Sequence, residues 1–172
     1  GANDKGQVKV ISGATHFALG EWFGDSLGDR FGASVSSGQD LDGDGFDELL
    51  VGAPEDDNGG GNAGSLRLFD GATGEAIARL GEQGEEVERY AFGDGGRLVL
   101  VVFGDRVATF AASDGEPVAS LEGRFGAISD DGAFAASAKD GGSVEVVDLE
   151  TGDAVGVQTA TGTAVESVTF GP

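Results

Sequence analysis

The nine residues Asp40-Leu41-Asp42-Gly43-Asp44-Gly45-Phe46-Asp47-Glu48 carry the sharpest chemical signal in the chain. Carboxylates at the first, third, fifth and ninth positions of so tight a turn would repel one another unless a cation sat among them. A hard divalent ion that takes roughly six to eight oxygens at variable geometry meets that need, and Ca²⁺ meets it better than Mg²⁺. Asp40, Asp42 and Asp44 would each give one side-chain oxygen, Phe46 its backbone carbonyl, and Glu48 a closing carboxylate. Gly43 and Gly45 let the backbone wrap the ion, because glycine reaches angles that other residues avoid. The competing reading is an acidic surface turn that holds no metal.

An EF-hand is excluded. That loop closes with a Glu at its twelfth position and lies between helices, whereas the twelfth position here is Val51. The flanks, Phe31 to Ser37 and Glu48 to Gly52, read as strands, so the loop belongs inside a β-hairpin. Nothing else reads as a helix either. Short apolar runs, many of them alternating, are separated by Gly, Asp, Asn and Ser clusters. Glu82 to Arg89 alone has helical composition, and it lacks an apolar stripe. A dozen or more short strands make an all-β protein, and internal repeats choose the architecture. Residues 7–22 align with 65–80, sharing Gly13-Ala14-Thr15 and Gly71-Ala72-Thr73, and the same hairpin recurs at 107–121 and 144–158. Four copies of one strand-turn-strand unit mean a radially repeated fold, a β-propeller of four-stranded antiparallel blades.

Residues 31–54, which begin Phe31-Gly32 and end DLDGDGFDELLVGAP, resemble the FG-GAP repeat of integrin α-type propellers. The resemblance implies Ca²⁺ at loop positions one, three, five, seven and nine, which are Asp40, Asp42, Asp44, Phe46 and Glu48. The family usually places Asp at the ninth position; here Glu48 stands there with Asp47 beside it, and either could close the shell. Later units resemble WD40 blades in spacing, with Val147-Asp148 where Trp-Asp would stand. One domain over 1–172 is expected: a partial blade at 7–28, the FG-GAP blade at 29–80, WD40-like blades at 86–121 and 124–158, and a closing strand at 164–170. That closure leaves a first blade of three strands. About four blades are expected, in an imperfectly closed ring, a fragment of a larger ring, or one that pairs with a second copy.

Composition narrows the partners. With 31 acidic residues against 10 basic and a net charge of −21, nucleic acid and anionic membranes are poor partners. A surface this acidic, with only three Lys, also resembles proteins of salt-loving organisms. Cysteine is absent, so disulfides and thiolate chemistry are excluded. No apolar run approaches the length of a membrane span, and no signal peptide is visible. The Gly1-Ala2 start reads as trimmed or engineered. A hydrophobic share of 39% in short runs argues against disorder. The single histidine, His16, falls in a hairpin turn and supports no catalytic triad. Asp56-Asp57 and Asp130-Asp131 read as solvated turns, and Trp22 as core or a blade interface. The expected function is therefore that of a non-enzymatic, calcium-stabilised recognition or adhesion scaffold, extracellular or at the cell surface. Its ligand would be a protein or a glycan, with self-association through open blade edges. The alternatives are a polysaccharide-active or phospholipase-type enzyme domain, and an engineered or excerpted fragment.

Overall fold

The structure, a computed structural model, describes residues 5–38, 40, 44–57, 64–81, 85–159 and 164–171. Fourteen strands follow one another: β1 Gln7–Ile11, β2 Ala18–Phe23, β3 Ser34–Ser37, β4 Leu49–Ala53, β5 Ser65–Phe69, β6 Ala76–Leu80, β7 Val87–Gly93, β8 Leu98–Phe103, β9 Arg106–Ala111, β10 Pro117–Glu122, β11 Phe125–Ile128, β12 Phe134–Ala138, β13 Ser143–Asp148 and β14 Ala154–Thr159. They form a two-stranded sheet β1-β2 and three four-stranded antiparallel sheets, β3 to β6, β7 to β10 and β11 to β14, each in chain order. This is an all-β, partial β-propeller, and the expected fold class is met. Among the described residues the helical departure is a single 3-10 turn, Asp94–Gly96. The helix-like composition of 82–89 ends in strand β7 from Val87; Glu82 to Gly84 lie outside the described residues.

Strand chemistry follows from position in the blade. Leu49-Leu50-Val51-Gly52-Ala53 is buried at every residue, because a central strand is covered by a blade on each face and therefore reads as an unbroken apolar run. Leu98 to Phe103 repeats the pattern from Val99 onward. The cores lie between blades. Val8, Phe31, Leu49, Val51 and Phe69 join the two-stranded sheet to β3–β6. Leu50, Leu66, Leu68, Val99, Val101 and Phe110 join β3–β6 to β7–β10. Each fully buried Leu or Val stabilises the fold by about 1.5–3 kcal/mol. Trp22 packs across the first of these seams, 5.8 Å from Phe69, and its Nε1 donates to the Gly74 carbonyl at 2.7 Å. The blade-interface reading of Trp22 is the one observed.

The four sequence repeats are four hairpins with one turn. At Ser12, Asp70, Ala111 and Asp148 the N–H bonds the carbonyl five residues on. The N–H four residues on returns to that residue's own carbonyl, all at 2.8–3.0 Å. The residue that donates this return bond has positive φ in every copy: Gly74 at 72°, Gly115 at 76°, Gly152 at 75°, and His16 at 61°. A side chain there costs roughly 1–2 kcal/mol, partly offset by the entropy glycine loses on folding, about 0.5–1 kcal/mol. His16→Gly is expected to raise the melting temperature by about 1–4 °C. A lower melting temperature in a thermal scan would mean that the imidazole makes a compensating contact.

The closing strand expected at 164–170 is not formed. Residues 164–171 carry no ladder, and Ser167 and Val168 instead line a groove with Arg89, Tyr90 and Phe125, beside β7 and β11. The tail is taken up two blades away from β1, so the first blade keeps two strands, and no ladder joins it to the last sheet among the described residues.

Candidate metal centre

The acidic loop sits at the tip of the β3–β4 hairpin, as its flanks require. Ser37 pairs with Leu49 in the ladder, and the Gly38 N–H donates to the Glu48 carbonyl at 2.9 Å, closing the loop's base. Above it the loop curls around its first carboxylate. Asp40 Oδ1 accepts the N–H of Asp44 and Oδ2 that of Gly45, both at 2.9 Å, and Asp44 Oδ1 accepts the N–H of Phe46 at 2.8 Å. Gly45, at φ 94°, is the residue that permits this reversal. Asp40, Asp44, Phe46 and Asp47 are exposed, whereas Glu48 is 2% exposed. Asp42 lies outside the described residues. Between the two candidates for the ninth position the fold turns Glu48 inward and leaves the Asp47 side chain in solvent. The Asp47 carbonyl lies under the β5–β6 turn, so close that a Cβ on Gly71 would meet it at 2.1 Å.

A second group of acids lies at the other end of β4, where sequence reasoning saw only a solvated turn. Asp29, Asp56 and Asp57 each place one oxygen within 4.8 Å of the others. Asp56 is wholly buried and Asp29 is 1% exposed, which corrects the solvated reading for Asp56 and adds Asp29, a residue that reading passed over. Arg67, on the buried strand β5, donates to both oxygens of Asp25 and to Asp56 Oδ2 at 3.2 Å, and Arg79 stands 3.5 Å from the same oxygen. Burial by itself would lower the Arg67 pKa; hydrogen bonds and charge from Asp25, then Asp56, outweigh it and hold the guanidinium above its ordinary value. The guanidinium also lies 5.5 Å from the Phe31 ring centroid, so the Phe of Phe31-Gly32 roofs the ion pair. The signal available in the sequence was Arg67 itself, a cation placed in the middle of the apolar run Ser65-Leu66-Arg67-Leu68-Phe69.

The FG-GAP repeat family model matches residues 31–69, which contain the loop, β3 to β5 and Arg67. Among solved structures the chain is similar to the computationally designed Ika8 protein, with TM-score 0.65 and 20% identity, over 100% of this chain and 49% of that one. It is also similar to the Cps50 (Swd1) β-propeller domain of Myceliophteria thermophila, with TM-score 0.53 and 17% identity, over 71% of this chain and 40% of that one. The chain thus spans half or less of the length of these two structures. No curated protein matches it by sequence. No helix among the described residues is long and apolar enough to cross a membrane. Propellers with such repeats are generally non-catalytic scaffolds. The chain is a partial β-propeller whose first full blade carries an FG-GAP repeat.

Proposed function

We propose that this chain is a calcium-stabilised recognition or adhesion scaffold that works outside the cell and catalyses no reaction. The observation that carries the reading is the loop at the β3–β4 tip. Its donors are all oxygens, Asp40 is turned inward onto the loop's own amides, and the carboxylate of Glu48 is buried at its base. That donor chemistry fits a hard divalent cation. Asp40, Asp42, Asp44, the Phe46 carbonyl and Glu48 would hold the ion. Bound Ca²⁺ supplies positive charge that relieves carboxylate repulsion and pins the hairpin to its blade. In an extracellular module such a site would have a Kd on the order of 10⁻⁴–10⁻³ M, a range that calcium outside the cell can fill. With Ca²⁺ at ~10 times Kd, linkage adds roughly 1.4 kcal/mol of stability.

Melting the full chain in millimolar Ca²⁺ and again in EGTA is expected to separate the midpoints by about 3–6 °C. Asp44→Asn should remove the loop ion's share of that difference. Identical midpoints in the two buffers would remove the ion from the function.

The partner favoured by the fold is a second copy of the chain. The two-stranded sheet exposes Ile11, Leu19 and Phe23, and at the other end the face of β11–β14 turned away from β10 leaves Phe134, Val144 and Val146 partly exposed. Each end of the arc leaves hydrophobic side chains on an open sheet face, in the first case flanking the Lys9–Glu21 ion pair.

A further inference from the structure

We infer that Asp29, Asp56 and Asp57 form a second site for a hard divalent cation, Ca²⁺ first, at the end of β4 opposite the Asp40–Glu48 loop. One oxygen from each residue lies within 4.8 Å of the others, the separation that ligands of a common ion adopt. Two turns bring them together and are tied to each other: the Glu55 N–H donates to the Asp29 carbonyl at 3.3 Å, and the Asp56 N–H to the Ala53 carbonyl at 3.2 Å.

The independent sign of a ligand is Asp29. Its Oδ2 accepts the Ser26 N–H at 2.7 Å, but its Oδ1 is buried with no hydrogen-bond partner. A carboxylate oxygen taken out of water and left bare is costly, and native folds rarely tolerate one without a further partner such as an ion. The arginines do not supply that partner. Both sit on Asp56 Oδ2, and Arg67 is shared with Asp25. Asp29 Oδ1 is left without a hydrogen-bond partner beside these pairs, and a doubly charged cation would supply it. Exposed Asp57 gives the ion a way in from solvent, while Asp29 and Asp56 provide the rigid floor. The all-carboxylate donor set selects a hard cation over zinc or copper. The ion would clamp the turn before Phe31 to the turn after β4, holding the two-stranded sheet against the first full blade.

The test is calorimetric titration of the full chain, stripped with EGTA and exchanged into chelator-free buffer, with CaCl₂ as the only added metal. Wild type is expected to bind two ions, and Asp44→Asn, which removes a loop ligand, to retain one. Adding Asp57→Asn to Asp44→Asn should weaken the retained ion at least tenfold; the residue is exposed, so folding is not at stake. Adding Asp29→Asn should abolish it, with circular dichroism confirming the native sheets. The inference is overturned if Asp44→Asn binds no ion, or if Asp57→Asn leaves its titration unchanged. A wild-type stoichiometry of one, insensitive to Asp44→Asn but lost with Asp57→Asn, would uphold this site while removing the loop from the proposed function.

Discussion

Replacing Arg67 with Met is expected to cost about 3–5 kcal/mol of folding stability at neutral pH. Met retains the apolar stem that packs in β5 and removes only the guanidinium. What remains is Asp56, wholly buried and 3.5 Å from Arg79, and Asp25 deprived of its two contacts with Arg67. The loss is large because desolvation of Asp56 persists after its main compensating charge has gone; an exposed pair such as Arg30–Glu55 would contribute at most about 1 kcal/mol. The contact of Arg67 with the Phe31 ring disappears as well, and that ring belongs to the core joining the first two sheets. Urea denaturation in EGTA, so that no divalent ion can stand in for the guanidinium, measures the effect directly. Adding Asp56→Asn to Arg67→Met should recover a substantial part of the loss, since the buried charge is then absent. An Arg67→Met variant within 1 kcal/mol of wild type would show that the acids at this end of β4 are compensated by something other than Arg67.

Light scattering is expected to return twice the chain mass, with Phe23→Glu returning one. The half-blade β1-β2 packs Val8, Val10 and Trp22 onto β3–β6 and turns Ile11, Leu19 and Phe23 away, each more than half exposed. Alternation along β12 and β13 does the same at the far end: Ala135 and Val147 face Leu121 of β10, so Phe134, Val144 and Val146 face outward. Joining the first face of one copy to the last face of another, twice, closes a ring with no free face, which is the arrangement a two-fold dimer permits. The net charge of −21 per copy opposes the union, so the dimer should tighten as salt screens the repulsion. A monomer at every salt concentration, or a dimer unmoved by both Phe23→Glu and Val146→Glu, would rule this pairing out.

How much of this was legible in the residues depends on whether the deciding interaction is local. The four hairpins were, because each turn is made by a residue whose amide bonds five positions on and by a glycine, or His16, in left-handed conformation. The central strands were, since a run such as Leu98 to Phe103 has no other stable setting than between two apolar layers. The acidic loop was legible as a hairpin tip for the same reason. Its placement between Ser37 and Leu49 needed only the flanking strands, whereas the inward turn of Glu48 against the outward turn of Asp47 depended on where the β5–β6 turn would press.

The misreadings are long-range. Asp56-Asp57 carries the same local marks as Asp130-Asp131, two acids among glycines, yet Asp56 is sealed from solvent and Asp130 is exposed. The difference is Arg67 and Arg79, 11 and 23 positions further on, and the turn at Asp29, 27 positions before. Likewise the alternation in residues 164–170 could say that the tail is extended but not which edge it would meet, because backbone donors and acceptors are the same on every strand. Sequence alone therefore determined the repeated unit, the propeller architecture and the acidic hairpin tip, all written in contacts of a few residues' span. Tertiary structure decided which acids are buried together and where the arc stays open, because burial and edge pairing are settled by neighbours that lie far away along the chain.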